Sequence, residues 1–293
     1  MLFSISTLVF LLIHLIPGDP IEVMLGETAR VGDREALRHL LGLDLPILQQ
    51  WWEYLKGISQ FDLGESLHSK QAVSQLLSDR LPATLILSAA SLFVAIVIAF
   101  PLGILAAIYK DSVWDRLAML TAMVGVSIPN FVMGPLLILI FALWLGWVPV
   151  SGKDGMSSLI LPALTLGSAL AAILSRMIRG SMLEVIQEDY IRAARARGLS
   201  EFRILGSHAL RNAALPIITI LGMQFGALLA GAVITETIFS WQGIGQLMID
   251  SIQKRDYPVV QGCVLLVSFI YVLVNLITDL TYTVLDPRLK LDT

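Results

Sequence analysis

The chain holds one cysteine, Cys263, in 293 residues, so it can carry neither a disulfide framework nor a cysteine-rich metal site. Its four histidines, His14, His39, His68 and His208, show no paired metal-ligand spacing. Charge is scarce: Asp, Glu, Lys and Arg make up 15% of the residues, well below the share in soluble domains. The net charge of −3 gives no basis for nucleic-acid binding. No GxSxG or HExxH motif occurs, and no acid pair inside an apolar run offers intramembrane catalysis. The nearest approach to a phosphate-cradling loop spans Gly146 to Asp154. It has one residue too many between Gly146 and Gly152, and Asp154 follows Lys153 where a magnesium site needs Ser or Thr. Neither internal repeats nor low-complexity tracts are present.

What the chain has in excess is hydrophobicity, at 56% of residues with a mean hydropathy of +0.78. Such a composition predicts an all-α integral membrane protein of one polytopic domain. A helix needs about 20 apolar residues to cross a bilayer. Six stretches are read as spans: Met1–Ile16, Ala83–Ile108, Leu117–Leu145, Leu159–Ile178, Leu215–Ile238 and Val259–Leu285. The fourth is weak at its end, where Arg176 and Arg179 are expected to snorkel to the interface. The first is short, and it lacks the basic lead-in and small-residue cleavage site of a signal peptide. A few residues are expected to precede it in the full protein.

Basic residues set the orientation. With the N-terminus inside, the cytoplasmic pieces are residues 109–116, the stretch from Arg176 to Pro216, and the C-terminal tail, with two, seven and two Lys or Arg. The short outer loops carry Lys153 in one and Lys254 with Arg255 in the other. The other six basic residues lie in the long 17–82 loop, which is too long to weigh heavily. That loop is expected to contain three helices: one capped by Asp33 and ended by Gly42, one opened by Pro46 and carrying Trp51, Trp52 and Leu55, and a third over Gln71–Leu81. The third either packs on the outer membrane surface or a partner, or forms a solvated spacer. The tryptophan pair of the second argues for an interfacial or docking role.

The stretch from Arg176 to Pro216 is a polar island between two apolar spans, and its seven basic residues are all arginine. Leu183–Arg197 reads as a helix with Val185, Ile186, Tyr190, Ala193, Ala194 and Arg197 near one side, and Glu184, Glu188, Arg192 and Arg195 as a charged surface. Gly198 is placed to stop it. A second helical run, Ser200–Asn212, then leads to Pro216 at the start of the fifth span. Small alanines let another surface approach the helix backbone, and the arginines can pair with its carboxylates. On residues alone, the island either docks a partner or merely sets topology.

Its motifs weigh on that choice. Asp189-Tyr-Ile-Arg-Ala-Ala-Arg-Ala-Arg-Gly-Leu199, followed by His208-Ala-Leu-Arg-Asn-Ala-Ala-Leu-Pro216, resembles the EAA loop of ABC-importer permeases, in the form used by the dipeptide, oligopeptide, glutathione and nickel subgroup. Arg192, Ala193, Ala194 and Gly198 fall on the EAA…G positions and Leu215-Pro216 on the closing LP. Arg192 replaces the general motif's Glu, and the spacing from Gly to LP is longer; both are similar to the subgroup's own pattern. Further likenesses come in order along the chain: His14-Leu-Ile-Pro-Gly-Asp-Pro20, Leu41-Gly-Leu-Asp-Leu-Pro46, Asp62-Leu-Gly64, Arg80-Leu-Pro-Ala-Thr-Leu85, Glu236 to Gly245, Arg255-Asp-Tyr-Pro258 and Asp286-Pro-Arg288. Gln242 departs from the usual Pro before Gly243, and the first span lacks the relatives' basic start.

The resemblance implies a type-1 ABC transmembrane fold. Residues 1–82 would be the first span with an extracytoplasmic loop, 83–285 the permease core with a cytoplasmic coupling loop at 179–214, and 286–293 a cytoplasmic tail. It implies no enzyme activity and no cofactor in this chain, with ATP and magnesium on two partner ATPases. The other implied partners are a sister permease, forming a heterodimer, and an extracytoplasmic binding protein. Tyr190, Arg192, Ala193, Ala194, Arg197, Gly198, Leu215 and Pro216 would couple to the ATPases. Peptides are the first choice of cargo, nickel or a nickel chelate the second. An ion-coupled secondary transporter or a structural scaffold are the rivals from other classes; the former would usually show an internal repeat.

Five residues are candidates for the translocation pathway. Pro129 and Asn130 interrupt the third span, as a kink that either lines the path or is structural. Asn275 and Asp279 share a face of the sixth span, for bonding between helices or for lining the path. Glu236, beside Thr235 at the outer end of the fifth span, either meets substrate or binding protein or is interfacial. Gly222, Gly226 and Gly231 predict close helix packing.

Overall fold

The computed structural model describes residues 2–15, 21, 30–40, 42–152 and 155–285. These residues form helices α1 (Leu2–Leu15), α2 (Val31–Leu40), α3 (Ile47–Ser59), α4 (Val73–Ile108), α5 (Val113–Ser127) and α6 (Asn130–Leu137). Next come α7 (Met156–Ile186), α8 (Asp189–Ala196), α9 (Leu210–Ile238), α10 (Ile244–Gln253) and α11 (Tyr257–Leu285). A π-helix at Ile138–Trp144 prolongs α6, and a helical turn at Glu201–Arg203 plus a π-helix at Ile204–Ala209 lead into α9. Residues 16–20 of the motif after α1, Leu41, and the tail at 286–293 lie outside the described residues.

Among the described residues, four helices are long and apolar enough to cross a membrane: Val73–Ile108, Met156–Ile186, Glu201–Gly226 and Tyr257–Thr281. The third expected span is a bent pair, making up to five crossings. The expected count of six depends on α1, whose 14 described residues reach about 21 Å, short of the roughly 30 Å hydrocarbon core.

Several expected boundaries move. Leu117–Leu145 is not one kinked helix, because α5 and the α6 segment meet at 103°. Ile128 and Pro129 are both extended there, with ψ 114° and 147°, and proline has no N–H to continue the ladder. Gln71–Leu81 is not a separate surface helix, since from Val73 onward it is the first part of α4. Pro82 lies inside that 36-residue helix, whose length of about 54 Å carries it well beyond the bilayer core. Asp33 is not a cap but an acid in the first turn of α2, while Gly42 ends that helix with φ +65°. Pro46 is the N-cap of α3.

The chain divides into two compact units. The first comprises Met1–Thr84 and Gln242–Ile270. Its core gathers Val73 and Leu77 of α4, Ile244 of α10, and Val259 and the fully buried Cys263 of α11. Cys263 is thus the small core residue its apolar surroundings in the sequence implied. The N–H of Ile244, an orphan at the start of α10, donates to Thr84 Oγ1 at 2.8 Å. Buried Asp256 accepts from Ser66 Oγ at 2.5 Å and from the Leu67 N–H at 3.1 Å, while His68 Nε2 donates to the Lys254 carbonyl at 2.7 Å. These bonds tie the loop before α4 to the turn before α11. Asp256→Ala strands a buried hydroxyl and a backbone donor, at about 1–3 kcal/mol for each unsatisfied group. We expect faster hydrogen exchange and proteolysis across residues 62–72, with the rest of the protein unaffected. In the same unit α3 lies against α1: Trp51 Nε1 donates to Thr7 Oγ1 at 3.3 Å, and the Phe10 and Tyr54 rings sit 5.6 Å apart. Trp51 is therefore spent within the chain, whereas Trp52 is 65% exposed.

The second unit comprises Leu85–Trp241 and Tyr271–Thr293, with α7 as its central helix. Small residues permit that position. A Cβ on Gly167 of α7 would lie 2.7 Å from the Ser91 carbonyl oxygen and 2.8 Å from Val94, and one on Gly103 of α4 would lie 2.7 Å from the Ser175 oxygen. Gly125 brings α5 equally close to Ser168. Gly222 and Gly226 of α9 face Thr278 and Tyr271 of α11, as the glycine spacing predicts. Hydroxyls in the apolar helices return their protons to their own backbone, as Ser91 Oγ does to Leu87, Thr165 Oγ1 to Leu161 and Thr278 Oγ1 to Val274. In lipid each polar group left alone is costly, so this local bond lets a span carry Ser and Thr.

Candidate functional site

The arginine island is a built element rather than a loose loop. Leu183–Ile186 belong to the end of α7, so the expected single helix over Leu183–Arg197 is two. The chain turns at Gln187 and Glu188, and α8 begins at Asp189. α8 ends in a full Schellman pattern: Gly198 sits at φ +76°, its N–H donates to the Arg195 carbonyl at 2.9 Å, and the Leu199 N–H donates to the Ala194 carbonyl at 3.3 Å. The expected stop at Gly198 is thus where the backbone needs a residue without Cβ.

Two side-chain bonds fix α8 to the segment between it and α9 and to the first turn of α9. Asn212 Nδ2 donates to the Tyr190 hydroxyl at 2.6 Å, and Arg195 grips Glu201 through Nε at 2.7 Å and Nη2 at 3.3 Å. The Glu201 partner holds the Arg195 guanidinium above its usual range. The Arg192–Asp189 pair at 3.2 Å is exposed and contributes little. Ile191 and Ala194, three apart, are the residues α8 buries. Ala193 is exposed, so the two alanines divide: Ala194 serves the chain's own packing and Ala193 the open face. Ile191 is a packing residue that the sequence reading misses, although its spacing from Ala194 is the available signal. Arg192, Arg197, Arg203 and Arg211 are exposed, and Phe202 stands 91% exposed among them. Pro216 does not open the fifth span. Helix begins upstream at Glu201, so Leu215 and Pro216 lie inside α9, both half-buried.

Arg179 is held by a partner on another helix. Its Nε and Nη2 donate to Asp115 Oδ1 and Oδ2, each at 2.7 Å. Asp115 is 4% exposed. It sits in the first turn of α5, where its N–H reaches Ser112 Oγ at 3.3 Å and its carboxylate also accepts the Asp111 N–H at 3.0 Å. Arg179 is the more exposed partner, so losing it leaves the buried Asp115 charge less compensated, while losing Asp115 leaves a guanidinium that water can still reach. Nothing in the linear sequence pairs two residues so far apart.

The pathway candidates occupy separate environments. Pro129 is exposed and Asn130 half-buried at the break between α5 and α6. Glu236 and Thr235 are fully buried. Asn275 Nδ2 donates to the Tyr271 carbonyl at 3.0 Å, and Asp279 is exposed.

The sequence matches the family model of the binding-protein-dependent transport system inner membrane component over residues 99–291, and that of the N-terminal part of such membrane components over residues 1–88. The glutathione transport system permease protein GsiC of Escherichia coli K12 is 42% identical over 289 residues, covering 99% of this chain and 94% of that protein. GsiC of Shigella flexneri serotype 5b matches with the same identity and coverage, 42%, 99% and 94%. Among solved structures, an inward-facing form of the MetNI methionine ABC transporter has a TM-score of 0.60 at 19% identity, over 73% of this chain and 97% of that one. An amino acid ABC transporter with histidines has a TM-score of 0.54 at 17% identity, over 74% and 95% of the two chains. These last two likenesses speak for the fold. The matches make this chain a multi-pass membrane permease subunit of an ABC importer, a member of the binding-protein-dependent transport system inner membrane component family.

Proposed function

We propose that the chain forms part of the translocation path for short peptides, glutathione among them, and that the Arg176–Pro216 island receives the motion of two ATPase subunits. The observation that carries this reading is α8. It is short, fixed at both ends by the Tyr190–Asn212 and Arg195–Glu201 bonds, and presents Arg192, Ala193 and Arg197 outward. A stiff element of this kind passes force into α7 and α9 instead of yielding to it. Both termini are cytoplasmic in this reading, six spans cross the membrane, and the island faces the cytoplasm, as the basic-residue asymmetry supports. Partners are a sister permease, two ATPases that hold ATP and magnesium, and an extracytoplasmic binding protein. The GsiC relatives favour glutathione or another short peptide over nickel.

The test is uptake by proteoliposomes holding the permease pair and ATPases, with the binding protein supplied outside. We expect uptake of labelled glutathione or a dipeptide only when ATP and binding protein are both present. Uptake driven by a proton or sodium gradient alone would overturn the importer mechanism, and uptake of nickel without peptide would overturn the cargo.

A further inference from the structure

We propose that the Asp115–Arg179 pair is the link through which the island moves α5, so that the break at Ile128 and Pro129 works as a hinge of the transport cycle. This rests on the importer reading above and names residues that act through others: both are positioning residues, not contacts of the cargo.

The placement argues for it. Arg179 lies on α7 seven residues before its end at Ile186, and only the Gln187–Glu188 turn separates that end from α8. Any displacement of α8 therefore reaches Arg179 along a continuous helix. Asp115 lies at the opposite end of α5 from the break, which comes after Ser127. The bond between them is directional: two parallel N–H donors on a planar guanidinium fix angle as well as distance. The two sides of the break are also gripped differently. Gly125 seats α5 on α7 at Ser168 and Ala172, whereas Gly134 seats α6 on the end of α9 at Ile238 and Phe239. A pull on α7 is thus shared with α5 at both its ends, while α6 is held by the segment that leads to Trp241. Ile128 and Pro129, outside either helical ladder, are where the difference is taken up.

The experiment uses the complete transporter in proteoliposomes and measures cargo transported per ATP hydrolysed, together with subunit recovery and melting temperature. For Asp115→Asn and Arg179→Lys we expect assembled complexes with basal ATPase retained. Transport per ATP should fall by about tenfold or more, because a single-point contact replaces the bidentate one. An assembled Asp115→Asn complex with wild-type transport per ATP would overturn the proposal. Should either variant fail to assemble, a double variant, Asp115→Cys with Arg179→Cys, joined by a reducible bis-methanethiosulfonate linker, decides. Cys263, the chain's one cysteine, is fully buried and out of reach of the reagent. Linked complexes should regain transport per ATP and lose it on reduction; the same ratio before and after reduction would overturn the link. Failure of the importer reading looks different, since the wild type would then show no ATP-driven uptake at all.

Discussion

Gly167→Leu is expected to abolish recovery of folded permease. Gly167 is where α7 meets α4, and even a single Cβ there would lie 2.7 Å from the Ser91 carbonyl oxygen and 2.8 Å from a Val94 methyl. The first of these is backbone, which cannot turn aside as a flexible side chain would. Overpacking by a few carbons costs about 1–3 kcal/mol where neighbours can adjust; here the helices themselves must separate. A total stability on the order of 5–15 kcal/mol leaves little room for that. Gly167→Ala should show a graded loss, read as a lowered melting temperature of the purified protein. Gly180, on the same helix, supplies the control, because a Cβ there meets nothing within 4 Å. Gly180→Ala should be neutral or stabilising by about 0.5–1 kcal/mol, since alanine is the better helix former. Equal melting of Gly167→Leu and wild type would refute the close α4–α7 approach.

Gly198→Val is expected to disconnect the ATPases while leaving the permease folded. Space is not the obstacle, as nothing lies within 4 Å of a Cβ at that position. The obstacle is φ +76°, which costs an L-residue about 1–2 kcal/mol, more for a β-branched side chain. That penalty falls on the turn that sets the direction of α8 and holds Arg195 against Glu201. We expect ATPase recovery in a pull-down to drop by roughly 5- to 30-fold, the population change that 1–2 kcal/mol produces. Gly198→Asn should lose much less, because asparagine tolerates the left-handed region. If valine and asparagine behave alike, the conformation of this turn does not govern docking.

These two glycines mark different degrees of legibility. Gly198 is readable as a helix stop, because a glycine after a periodic run has a local meaning. Gly167 is not, because nothing about residue 167 announces that Ser91 will lie against it. Local patterns fail where the neighbouring helix supplies the competing force. Gln71–Leu81 joins α4 instead of standing apart, since Val73 and Leu77 are buried against α10 and α11 in one core. Pro216 falls within a helix, because the helical ladder beginning at Glu201 runs on through the span beyond it. Pro129 does the reverse, turning an expected kink into a 103° bend.

The sequence by itself determined that this protein lives in a membrane and the family it belongs to. Each of these comes from composition or contiguous motifs, which are properties of neighbouring residues. Only the tertiary structure decided that Arg179 is held by Asp115, that Glu236 is buried, and that Ala194 packs inward while Ala193 faces out. The reason is physical. A salt bridge across 64 residues, or the burial of a carboxylate, is set by which helices lie side by side, and a chain's own periodicity records only which of its faces is apolar.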